Sequence, residues 1–67
     1  MDRFEEAEDC FQQAVTLGPD LAENYVNLGG VQQEMNRLTE ALENYEHAIY
    51  LQPDLAEAHN NKGVVLK

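Results

Sequence analysis

Pro19-Asp20-Leu21-Ala22-Glu23 returns as Pro53-Asp54-Leu55-Ala56-Glu57, a period of 34 residues. This repetition constrains the chain more than any other feature. A unit of that length holds one supersecondary motif, and it buries its apolar face only against its neighbours. Setting residues 1–33 on 35–67 also pairs Met1, Arg3, Glu6, Ala7, Ala14, Leu17, Asn27, Gly29 and Val31 with identical residues. Phe4/Leu38, Phe11/Tyr45 and Val15/Ile49 keep their character. The matches fall on apolar, capping and turn positions, where one structure demands one chemistry.

The spacing inside the period is helical. Phe4, Ala7, Phe11, Ala14, Val15 and Leu17 give a first helix from Asp2 to Leu17 one face to bury. Glu5, Glu6, Glu8 and Asp9 read as its solvated face, since a helix splays such carboxylates apart and no EF-hand loop is present. Gly18-Pro19 stops the helix, with Gly18 expected in the left-handed region. Asp20 then reads as an N-cap, with Glu23 completing a capping box. Leu21, Tyr25, Leu28, Val31 and Met35 carry the second helix as far as Asn36, a residue suited to a left-handed C-cap. Gly29 reads as a site of close packing; Gly30 has no evident reason. A third helix runs from about Leu38 to Leu51, with Tyr45 expected to face Leu28 and Gly29. Asp54 and Glu57 repeat the capping signal, and a fourth helix starts near Leu55. No alternating β-branched run predicts a strand. The expected class is all-α: about four helices in antiparallel helix-turn-helix repeats, an α-solenoid.

Composition excludes several functions. Thirteen acids against four bases give −9, which repels nucleic acid and anionic lipid. Cys10 stands alone, so no internal disulfide forms, and it has no basic neighbour to activate it. Two histidines scattered from that cysteine make no structural zinc site. His47 lies one turn after Glu43 but lacks a third ligand and reads as a surface residue; His59, in the place of Tyr25, reads as packing. No nucleophile–base pair, phosphate loop or metal cluster is present, so neither catalysis nor a cofactor is expected. No apolar run approaches the roughly 20 residues that span a bilayer. Met1 is followed by charges, not by a leader, so the expected location is cytoplasmic.

Tyr25, Leu28 and Gly29, then Ala41, Tyr45, Ala48 and Pro53, resemble the tetratricopeptide repeat. Ala7, Phe11, Ala14 and Pro19 are similar to its second helix, and Gly63 with Leu66 to its first. Gln32, where the family usually has Tyr, and Lys62, on a packing face, depart from the pattern. The resemblance implies right-handed superhelical stacking in a single domain. Residues 1–20 would be the second helix of one repeat, 21–54 a complete repeat, and 55–67 the first helix of another. Such a phase suggests an excerpt of a longer array, or a chain that relies on association.

The resemblance also implies a function: binding an extended peptide or a partner helix in a concave groove lined by first helices. Its residues would be Glu23, Val26, Asn27, Gly30 and Gln33, then Glu57, Asn60, Asn61, Val64 and Lys67. Asn27 and Asn61 fall on the same spot of consecutive repeats, and an amide can both donate to and accept from peptide backbone. Such an Asn ladder resembles the arrays of O-linked N-acetylglucosamine transferases, so a substrate-docking arm of a glycosyltransferase is the alternative. The carboxylate clamp of chaperone-binding repeats is disfavoured, because Glu23, Val26, Glu57 and Asn61 stand where it needs basic residues. A third reading is a scaffold that self-associates through its terminal helices, head-to-tail or as an exchanged dimer, more strongly in salt.

Overall fold

The computed structural model of the chain describes residues 3–67, and four α-helices account for most of them. They are α1 (Arg3–Leu17), α2 (Ala22–Glu34), α3 (Leu38–Leu51) and α4 (Ala56–Leu66). No strand occurs among the described residues. The expected start at Asp2, and Met1 in the repeat alignment, lie outside them. The all-α repeat class is what the sequence predicts.

The helix ends show where short-range chemistry was decisive. Asn36 has φ 63°, the left-handed region, and closes α2 in a Schellman motif. The Arg37 N–H donates to the Gln32 carbonyl at 2.8 Å, and the Asn36 N–H to Gln33 at 3.0 Å. The N-termini differ from expectation. Neither Asp20 nor Asp54 caps a helix: Leu21 and Leu55 occupy the N-cap positions, and neither end has a side-chain cap. Each aspartate is instead spent in a turn. The Leu21 N–H donates to the Gly18 carbonyl at 3.2 Å, and Leu55 N–H to Gln52 at 3.1 Å. That turn puts Pro and Asp at its two central positions, so the aspartate sits one residue too early to cap. Gly18 is also corrected. No glycine among the described residues has a positive φ. Gly18 is small because a Cβ there would press on the Leu21 side chain at 3.0 Å.

Packing is densest between α2 and α3. Tyr45 and its neighbours Ala41 and Ala48, one turn before and about one turn after, are 0% exposed. Alanines let the helix backbones approach, and the aromatic ring fills the space that remains. Gly29 receives the ring: a Cβ at that position would lie 2.7 Å from a Tyr45 ring carbon. Leu28, expected beside Gly29 against Tyr45, turns the other way. It lines a cleft with Val15 of α1 and Glu43 and His47 of α3. Ala22, Val26 and Ala58 complete the core around Tyr45, with Ile49, Leu51 and Val65 packed against it.

The joint between α1 and α2 is polar at its centre. Glu8, expected on the solvated face, is 9% exposed, and Gln32 is 2% exposed. The Gln32 amide donates to the Glu8 carboxylate at 3.2 Å, and Arg37 donates to both oxygens of the same carboxylate at 3.1 Å. Asn44 of α3 donates to the Gln32 side-chain oxygen and to the Glu40 backbone carbonyl. No buried side-chain polar atom among the described residues lacks a partner. Gln32 is therefore an exchange of an aromatic for a satisfied amide. One period of 34 on, Leu42 and Leu66 hold the places of Glu8 and Gln32, so the sequence swaps the polar pair for an apolar one. A second stitch joins the same helices, from the Asn24 amide to the Ala14 carbonyl at 3.2 Å.

Gly29 and Gly30 make opposite predictions. Gly29→Ala should cost about 1–3 kcal/mol, since the ring it would strike is held on all sides. At Gly30 the nearest atom to a Cβ is the Tyr45 hydroxyl at 3.9 Å, an ordinary contact. Gly30→Ala should therefore stabilise by about 0.5–1 kcal/mol through helix propensity. Urea unfolding of the two variants checks both signs. The polar joint predicts non-additivity: Gln32→Leu alone leaves buried partners unsatisfied and should cost about 1–3 kcal/mol. Adding Glu8→Leu should recover part of that, and a double-mutant cycle reads the coupling.

Candidate functional site

The curvature of the stack follows from which helices touch. α2 packs on α1, α3 and α4, and α3 packs on α4; α1 and α3 are not in backbone contact. The α2–α4 side is thus the closer-spaced layer and the α1–α3 side the splayed one. A cleft of about 380 Å³ opens between α1 and α3, floored by Leu28 and Gln32. A layer of helices pinched on one side bends toward that side, which makes the α2–α4 face the inner one.

The residues expected on that face have three kinds of environment. Glu23, Asn27, Glu57, Asn60, Val64 and Lys67 are exposed. Gly30, Gln33 and Asn61 are half-buried, as residues near the line where two helices meet should be. Val26 differs from expectation: it is 3% exposed and belongs to the core around Tyr45, so it supports the face without presenting a side chain to a ligand. Asn27 and Asn61 occupy corresponding places on α2 and α4. Neither side-chain amide forms a hydrogen bond within the described residues, so both keep a donor pair and an acceptor uncommitted.

Sequence reading missed a buried group that supports this face from beneath. Tyr45 stays within the core, and its hydroxyl donates to the Gln33 side-chain oxygen at 2.8 Å. Burial, and then the carboxylates of Glu34 and Glu57, raise its pKa above the usual 10.0. At neutral pH it is therefore a firm hydrogen-bond donor that fixes the Gln33 amide. The repeat alignment carries a clue, because Phe11, the counterpart of Tyr45, has no hydroxyl.

The two histidines lie away from this face. His47 is exposed, as expected, but its ring is stacked on Tyr25 at 4.1 Å between centroids and meets Tyr50 edge-on. His59 is not a packing residue. It is exposed, and Nε2 lies 2.7 Å from the Pro53 carbonyl, which can only accept; Nε2 therefore carries the proton and pins α4 to the preceding turn. No group of His, Cys, Asp or Glu among the described residues is arranged to hold a metal ion. No helix among them is long and apolar enough to cross a membrane.

A family model described as TPR repeat matches residues 34–67, just over half of the chain. No curated protein matches it.

The Tyr45 hydroxyl makes a pH prediction for this face. A pKa raised in the folded chain means that ionisation is harder folded than unfolded. Its stabilising effect is then whole below about pH 10 and is lost as pH climbs through the raised value. Tyr45→Phe should lower stability by about 0.5–1.5 kcal/mol at neutral pH. It should also flatten the alkaline decline, which denaturant titrations at several pH values would read.

Proposed function

Because this chain belongs to the tetratricopeptide (TPR) repeat family, whose repeats mediate protein–protein interaction and are not catalysts, we propose that its α2–α4 face binds an extended peptide. The observation that carries this reading is the pair of uncommitted amides, Asn27 and Asn61, one period of 34 apart on adjacent inner helices. A backbone presents alternating donors and acceptors, and an amide satisfies either. Recognition of this kind tolerates many sequences. Gln33, held by Tyr45, gives the same face a third amide whose orientation is already set. Ordering a side chain before binding reduces the entropy lost on binding.

Charge narrows the class of peptide. Glu23, Glu34 and Glu57 are all exposed, against Lys67 at the end of α4. Potentials across an interface are complementary where binding is specific, so a peptide of net positive charge fits this face better than an acidic one. That preference weakens with salt, since exposed charges are screened beyond about 8–10 Å at ordinary ionic strength. The same charges oppose a C-terminal carboxylate as the main anchor.

The test is Asn27→Ala with Asn61→Ala against a panel of unrelated basic peptides, measured by calorimetry. Two hydrogen bonds lost, each worth about 1 kcal/mol net, should weaken every member of the panel by about tenfold or more. A loss confined to one peptide would argue for side-chain recognition instead. Unchanged affinity throughout would remove the amides from the account.

A further inference from the structure

We propose that the cleft between α1 and α3 is a second binding site, on the outer side of the stack, and that it takes an arginine side chain of a partner protein. The cleft is bounded by three consecutive helices of the chain and has a volume of about 380 Å³. That size falls within the about 300–1,000 Å³ of ligand pockets. Its lining has two chemical halves. Leu28, 3% exposed, and Val15 are the apolar part. Gln32 beside them has its amide nitrogen on Glu8 and its amide oxygen on Asn44, so the floor asks only contact of a ligand. The α3 wall is acidic: Glu40 and Glu43 line it one turn apart, and both are exposed. Neither is paired with a basic residue among the described residues. Asn44 is engaged through its amide nitrogen, which leaves its oxygen as a third acceptor. An apolar floor under an acidic wall fits a side chain with a long hydrocarbon stem and a cationic end.

The chain itself places a cation at the equivalent position. One period of 34 on, Lys62 stands where Leu28 does, and Glu46 where Gln12 of the cleft wall does. The Lys62 amine lies 3.5 Å from the Glu46 carboxylate. There the fold supplies both the cation and its carboxylate. In the cleft it supplies carboxylates and open space. Arginine fits that space better than lysine. A guanidinium is planar, has five donors and can serve two carboxylates at once. It also stacks on flat rings, and the His47 ring at the cleft is held by stacking on Tyr25 at 4.1 Å between centroids. A ring already fixed loses little freedom on binding. No Lys or Arg among the described residues lines the cleft to meet the α-carboxylate of a free amino acid, which Glu40 and Glu43 would repel. An arginine within a protein backbone carries no such charge.

The probe is acetyl-Gly-Arg-Gly-amide, titrated at low salt into the isotope-labelled chain and followed by nuclear magnetic resonance. Backbone amide signals of Gln12, Glu43 and His47 should move. Glu40→Gln with Glu43→Gln should weaken binding about tenfold or more, with the helical circular dichroism unchanged. Glu6→Gln with Asp9→Asn removes equal charge at the same spacing on α1, outside the cleft, and should leave affinity within about twofold. Asn27→Ala with Asn61→Ala should also leave the cleft signals moving, which separates this site from the peptide-binding face. Signals that stay still around the cleft overturn the proposal. So does an equal loss from the two charge pairs, which would mean attraction to net charge alone. Binding of free arginine, or of the lysine tripeptide, as tight as that of the arginine tripeptide overturns it too, since the occupant would then be a free amino acid or any cation.

Discussion

The Tyr45 ring against Gly29 is the contact on which the rest depends. A Cβ at Gly29 would push α2 and α3 apart, so the interhelical distance is set by the absence of one carbon atom. With the distance set, Ala41 and Ala48 can be fully buried without leaving voids. The same ring then determines what appears at the surface. It is long enough to cross the core, and its hydroxyl, still buried, orients Gln33 from beneath. Core and candidate binding face are thus linked by one hydrogen bond. Stability and recognition are coupled there for a geometric reason, not for a regulatory one.

The joints between repeats are held differently from the repeat itself. Between α1 and α2 the central pair is Glu8 and Gln32, closed on its outer side by Arg37 and Asn44. The next joint has Leu42 and Leu66 in those places. The two joints are not equally closed, since Leu66 is 63% exposed where Gln32 is 2% exposed. They differ in selectivity. An apolar pair accepts any apolar neighbour, whereas a buried carboxylate accepts only a partner that supplies donors. The Glu8 joint therefore names its neighbour, although Arg37, partly in water, contributes modestly to its strength.

Much of the candidate face was legible because groove positions follow from the period once the first helices are known. Val26 was not, since a residue on the inner layer can lean either into the core or out of it, and the lean depends on the neighbour α4. The hydrogen bond from Tyr45 to Gln33 was hidden for the same reason. A tyrosine on an apolar helical face reads as core, and only the tertiary structure shows which side chain its buried hydroxyl reaches.

The sequence by itself determined the period, the helices, the Asn36 terminus and the need for glycine opposite an aromatic. These are properties of single residues or of neighbours along the chain: hydrophobic spacing, tolerance of the left-handed region, and side-chain size. It could not say that Asp20 and Asp54 would be absorbed by turns, because a cap and a Pro-Asp turn compete for the same residue and differ by one position. It could not say that Glu8 would be buried. Four carboxylates on one helix look alike until a neighbouring helix supplies donors to one of them. Gln32 and Arg37 lie more than twenty residues from Glu8 in the chain, and only the tertiary structure brings their N–H groups to its oxygens.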